Sequence, residues 1–148
     1  MNVATRRSAG YSGKALPDKL GFKPGMAAAF VALPRELDAL ATSVGFSSVA
    51  RASGWMTLDR RSAGYDVIHA FATNKAELAA GLPALQSAIK RDGMIWLSWP
   101  KKTSRIATDL SDQAVRGEAL KLDLVDLKVA AVDDDWSALK LVIRNDRR

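Results

Sequence analysis

Cysteine is absent from the 148 residues. Disulfides, thiolate nucleophiles and cysteine zinc sites are therefore excluded. The composition suits a reducing cytoplasm, which is the expected location. Long hydrophobic runs are absent too: the longest, residues 26–33, is far too short to span a bilayer. Arg6 and Arg7 have no apolar segment behind them, so the start does not read as a secretory signal. The sequence contains no G-x-S-x-G, H-E-x-x-H or G-x-G-x-x-G, which argues against the common hydrolases, zinc proteases and dinucleotide oxidoreductases. Histidine occurs once, at His69.

What is present describes a folded domain. Hydrophobic residues make up 48% and charged residues 26%, a globular balance rather than a disordered one. The length suits one domain with a real core. The expected division is a basic arm over residues 1–10 and a single domain over residues 11–148. The net charge of +6 favours anionic partners, while also fitting an ordinary soluble surface. A short echo, Arg6-Arg7-Ser8-Ala9-Gly10-Tyr11 and Arg60-Arg61-Ser62-Ala63-Gly64-Tyr65, occurs only twice and is not a repeat architecture.

Periodicity places the elements. Leu16 and Leu20 lie one turn apart and suggest a short helix ended by Gly21. The continuous apolar run 26–33 fits a buried parallel strand. Pro34 fits the first position of a helix carrying Leu37, Leu40, Ala41 and Val44. Residues 47–51 read as a short strand and 52–64 as loop, with room for a small strand at 55–58. Residues 65–72 form a strong strand. Asn74 with Glu77 gives a capping-box start to a helix reaching Arg91, interrupted near Gly81 and Pro83. Asp92-Gly93 closes it before a buried strand, 94–99. Ser111 caps a further helix. Residues 125–132 alternate, with Val125, Leu127, Val129 and Ala131 on one face, and 138–144 returns as the second strand of an antiparallel hairpin. The fold class is therefore α/β, with alternating strands and helices building a mostly parallel sheet covered on both faces.

Leu20-Gly21-Phe22-Lys23-Pro24-Gly25 leading into the first strand, and the long helix before Asp92-Gly93-Met94-Ile95-Trp96-Leu97, resemble class-I S-adenosylmethionine methyltransferases. That resemblance implies a three-layer, Rossmann-like sandwich ending in an antiparallel hairpin. More closely, Tyr11-Ser12-Gly13-Lys14, Lys19-Leu20-Gly21-Phe22-Lys23-Pro24-Gly25, Ser98-Trp99-Pro100-Lys101-Lys102, Thr108-Asp109-Leu110 and the run from Val132 to Leu141 are similar to a bacterial domain family of unknown function. That likeness implies a fold and little chemistry.

The departures from working methyltransferases matter. In those enzymes the first strand leads into a glycine-rich turn that lets the backbone approach the cofactor. Here it leads into Ala32-Leu33-Pro34-Arg35-Glu36, without glycine and with a proline that removes an amide donor. Their second strand ends in a carboxylate for the ribose; here it ends in Arg51. The stretch from Arg51 to Tyr65 is too short for another helix and strand, so the sheet is trimmed at that edge. No cofactor is expected, with S-adenosylmethionine as the alternative.

Candidate ligand contacts follow from position. Ser98-Trp99-Pro100-Lys101-Lys102 leaves the carboxyl end of a central strand, where open α/β sheets take ligands. Trp99 offers a stacking face and Lys101 and Lys102 offer charge; the same segment also reads as a stiff turn with solvated lysines. His69 reads either as a base at that crevice or as a hydrogen-bonded core residue sharing a face with Tyr65, Val67 and Phe71. Asn74 borders the crevice. Lys14, in Gly10-Tyr11-Ser12-Gly13-Lys14, lacks Walker spacing and a preceding strand, yet sits where an arm could carry it to a phosphate. Asp133, Asp134 and Asp135 lack an EF-hand pattern and read as a solvated turn with Trp136 packed behind it.

Three functions follow. The first is a non-catalytic binding or regulatory module for a small anionic or nucleotide-like ligand or a protein partner. The second is a methyltransferase with an altered pocket. The third is nucleic-acid binding through Arg6, Arg7, Lys101, Lys102, Arg105, Arg147 and Arg148, without any groove-reading motif.

Overall fold

The computed structural model describes residues 15–148. The basic arm, the first copy of the echo, and Lys14 lie outside the described residues. In chain order the elements are α1 (Leu16–Lys19), β1 (Ala27–Val31), a 3-10 helix (Arg35–Thr42), β2 (Ser48–Ala52), β3 (Tyr65–Phe71), α2 (Lys75–Ala88), β4 (Ile89–Pro100), α3 (Asp112–Leu120), β5 (Leu124–Ala131) and β6 (Trp136–Ile143). A short 3-10 turn, Asn145–Arg147, follows.

The six strands lie in the order β2-β1-β3-β4-β6-β5. The first four run parallel, and β6 enters antiparallel between β4 and β5. β1 is buried along its whole length, as a central parallel strand must be, and its three alanines let both layers approach closely. Asp66 ties the lower edge together. Its Oδ2 accepts the Ala27 N–H at 2.7 Å, and its Oδ1 pairs with the Lys90 ammonium at 3.0 Å.

Two cores flank the sheet. On one face α2, α3 and Trp55 pack on Ala29, Ile68, Ala70, Ile95, Leu97 and Leu139. On the other, Leu20, Phe22, Leu37 and Leu40 pack on Phe30, Val67, Phe71, Trp96 and Trp136. One row of residues on that second face crosses all six strands in register: Arg51, Phe30, His69, Trp96, Lys140 and Lys128.

Several expectations need correction. The helix before β4 ends at Ala88, and the strand begins at Ile89 rather than at Met94. Lys90 is drawn into the strand by Asp66, and an irregularity opposite Tyr65–Val67 absorbs the polar residues. Gly93 closes no helix. A Cβ there would lie 2.8 Å from the Tyr65 carbonyl oxygen, so glycine permits the strand contact. α2 runs unbroken through Pro83, which lies on its exposed side where water can reach the carbonyl left unbonded. Pro34 precedes a 3-10 helix instead of opening an α-helix. Residues 55–58 form no strand; Trp55 is buried in the α2 core instead. Tyr65 lies in that core too, across the sheet from Val67, His69 and Phe71. In β5 an extra residue at Leu127 interrupts the alternation, leaving Leu127 and Val129 exposed.

Candidate functional site

The carboxyl ends of β1, β3 and β4 define the edge where a ligand is expected. β1 leaves through Ala32, whose φ is +57°. A left-handed turn is thus formed where a glycine would ordinarily serve, at a steric cost for a residue with a Cβ. Ala32 N–H is held by the Ala52 carbonyl at 2.8 Å. At the end of β2, Arg51 is paired with Asp38 of the 3-10 helix at 2.5 Å. A cation engaged by its own carboxylate thus occupies the place where the resemblance sets a ribose-binding acid.

Beyond β3 the edge is covered by side chains. The Trp55 indole N–H donates to the Phe71 carbonyl at 2.8 Å. From the other direction the segment following β4 folds back. Thr108 Oγ1 donates to the Thr73 carbonyl at 2.6 Å, and Asp109 Oδ1 accepts the Lys75 N–H at 2.8 Å. Asn74 is exposed and caps α2, its Oδ1 accepting the Glu77 N–H at 2.7 Å. Asn74 and Asp109 together thereby satisfy donors that a helix start leaves open.

Trp99 is 6% exposed and packs in the α2–α3 core with Leu110 and Val115. The reason is parity: Ile95, Leu97 and Trp99 alternate onto that face, while Met94, Trp96 and Ser98 take the other. Lys102 is exposed outside the groove described next. His69 is fully buried. Its Nε2 shares a 2.7 Å hydrogen bond with Ser98 Oγ, its ring stacks on Phe71 at 4.3 Å, and Nδ1 has no partner. Burial lowers its pKa to about 3, so the imidazole is neutral at physiological pH.

Among the described residues, Lys101 is the predicted contact that lines an open groove. A groove of about 590 Å³ lies between the segment after β4 and the β5–β6 turn, lined by Lys101, Thr103, Arg105, Ile106, Asp134 and Asp135. Its walls are fixed by hydrogen bonds. Lys101 N–H donates to the Asp135 carbonyl at 2.8 Å, and Ser104 Oγ donates to Asp135 Oδ1 at 2.9 Å. Asp133 is buried rather than solvated; its Oδ1 accepts the N–H groups of Asp135 and Trp136 and shapes the turn. Among the described residues no three ligating side chains are grouped to hold a metal. The groove offers two cations, a hydroxyl, an apolar patch and two carboxylates. Thr103 and Ile106 escaped sequence reasoning because only the return of the chain to the hairpin turn makes them neighbours.

Searches of known proteins add the fold. No family model and no curated protein matches the chain. Solved structures do. The magnesium protoporphyrin IX methyltransferase of Synechocystis, solved with S-adenosylhomocysteine, superposes with a TM-score of 0.64 at 12% identity, over 86% of this chain and 78% of that one. The fold is methyltransferase-like. A ribosomal protein L11 methylase from Lactobacillus delbrueckii gives 0.60 at 15% identity, over 88% of this chain and 75% of that one. The CcbJ methyltransferase of Streptomyces caelestis gives 0.59 at 10%, over 86% and 87%. The methyltransferase-like sheet here carries the expected hairpin, and residues 53–64 add no strand beyond β2. No helix among the described residues is long and apolar enough to cross a membrane.

Proposed function

We propose that this chain is a binding or regulatory module on a methyltransferase-like fold, without catalysis of its own, that takes a small anionic or nucleotide-like ligand. The observation that carries this reading is the groove beyond β4, where Lys101 and Arg105 face a common space with Thr103 and Ile106. Ligands of open α/β sheets bind beyond the strand ends. A phosphate or carboxylate would meet the two cations, and hydroxyl or amine donors would meet Asp134 and Asp135. The degenerate cofactor edge supports the non-catalytic part. Pro34 supplies no amide, Arg51 is spent on Asp38, and Trp55 covers β3.

Thermal-shift and calorimetric titration with nucleotides and phosphorylated metabolites tests the reading. Saturable stabilisation is expected, weakened in Lys101→Ala and Arg105→Ala. A flat response across such ligands removes it and leaves the protein-partner version.

A second reading, a methyltransferase with an altered pocket, draws on the left-handed turn at Ala32, which keeps the backbone bend despite the missing glycine. Calorimetry with S-adenosylmethionine and S-adenosylhomocysteine decides it. Silence at millimolar ligand ends that reading.

A further inference from the structure

Three lysines outside the groove, Lys19, Lys128 and Lys140, gather with Lys101 of its wall on the sheet face opposite α2 and α3. Lys128 of β5 and Lys140 of β6 are register partners on that face. Lys140 is in turn the register partner of Trp96, and the Lys128 ammonium lies over the Trp96 ring at 5.9 Å. Lys19, only 8% exposed, donates from Nζ to the Ala131 carbonyl at 3.0 Å, beside the end of β5. Lys101 sits at the end of β4. The charges of Lys101 and Lys128 reach Lys19, and that of Lys128 reaches Lys140; with burial as the larger cause, both Lys19 and Lys140 have lowered pKa values.

Like charges directly opposite in an antiparallel pair destabilise it. Among the described residues neither Lys128 nor Lys140 has a carboxylate partner. Asp126, on the same strand, is held by Arg116 from the other face. Asp135 is bound by Ser104, and Asp133 by backbone amides. Phe30, His69 and Trp96, which continue the row, bring no negative charge. Such an arrangement costs stability unless a ligand supplies the anions.

We propose that Lys19, Lys101, Lys128 and Lys140 form a binding site for a compact group of phosphates, such as the di- or triphosphate of a small molecule. A single carboxylate carries one negative charge, whereas linked phosphates bring several into one small volume. Lysine binds phosphate as a point charge and needs no planar partner. A nucleic-acid backbone would call for an extended basic track. Among the described residues, Arg144 and Arg147, which such a track would draw on, lie past the end of β6, at the opposite end of the sheet, beside Asp123. The inference shares Lys101 with the groove reading and is told apart from it by Lys128 and Lys140, which do not line the groove.

The test is calorimetry of the full chain with inorganic tripolyphosphate at physiological ionic strength, alongside a short single-stranded DNA. One saturable tripolyphosphate site is expected. Lys128→Met and Lys140→Met should each weaken it about tenfold, as loss of a charged contact does. Lys121→Met, at the end of α3 and paired with Glu118, should leave it unchanged. Circular dichroism confirms that the variants are folded. Absence of saturable binding overturns the proposal, as does binding to DNA alone. Loss in Arg105→Ala without loss in the Lys128 or Lys140 variants would also overturn it, while leaving the groove reading in place.

Discussion

Trp55 packs so tightly against Gly81 of α2 that a Cβ on Gly81 would lie 2.9 Å from both the Trp55 Cβ and Cε3. Glycine in mid-helix costs about 1 kcal/mol relative to alanine, so Gly81→Ala would stabilise an open helix. Here the added methyl must displace an indole anchored to the Phe71 carbonyl. Overpacking of this kind costs about 1–3 kcal/mol and outweighs the propensity gain. Gly81→Ala is expected to lower stability in denaturant titration. Trp55→Phe in the same background should recover part of the loss, since the smaller ring frees the contact. A Gly81→Ala protein more stable than wild type would show that the indole can move aside.

His69 gives stability a pH dependence whose sign is fixed. Its folded pKa is lowered to about 3 by burial, against an ordinary value of 6.5. Between these values the unfolded chain binds a proton that the folded chain refuses. Stability therefore falls as pH drops below about 6.5, by roughly 1.4 kcal/mol per pH unit once the unfolded imidazole is charged. No other histidine contributes. His69→Gln removes the titration and offers the Ser98 hydroxyl another polar partner. Denaturant titrations between about pH 5 and pH 6.5 should show a shallower slope in the variant. Equal slopes would mean that the buried ring is protonated without penalty.

Much of the fold was legible because burial dictates it. The unbroken apolar run of β1 and the mostly apolar β3 follow from being covered on both faces, and Asn74 and Ser111 mark helix starts by satisfying backbone donors. What escaped depends on contacts distant in sequence. Lys90, Arg91 and Asp92 look like a helix end until Asp66 is placed beside Lys90. Trp99 looks like a ligand platform until α3 and Leu110 cover it. Leu127 looks like a core residue until the extra residue in β5 turns it outward. In the candidate site, Lys101 was legible from its place after a central strand. The groove opposite it needed the hairpin turn, and the pairing of Lys128 with Lys140 needed the strand register.

Ala32 holds a left-handed backbone at φ +57°, a conformation that costs a residue bearing a Cβ roughly 1 kcal/mol. Ala32→Gly relieves that cost while giving the unfolded chain more freedom. A net gain of about 0.5 kcal/mol is expected, because mutational effects at positive φ are dominated by the folded-state strain. Thermal unfolding measures it. A loss of stability would mean that the methyl group's packing between the two cores matters more than its strain.

The pairing of Lys128 with Lys140 should be visible without any ligand. Opposed like charges on neighbouring strands cost about 0.2–1 kcal/mol. Lys128→Gln and Lys140→Gln are therefore each expected to raise stability by an amount in that range, and the gain should shrink as salt screens the repulsion. The double variant should gain less than the sum, since either change removes the same repulsion. Proton linkage gives an independent check. Burial and then Lys128 lower the Lys140 pKa below its ordinary 10.5. The folded chain then sheds this proton before the unfolded chain does, and stability rises with pH through that interval. Lys128→Gln should bring the Lys140 pKa closer to its ordinary value in an NMR titration of the side-chain Cε. If both single variants lose stability and the Lys140 titration does not move, the two ammonium groups do not sense each other, and the strain attributed to this face is absent.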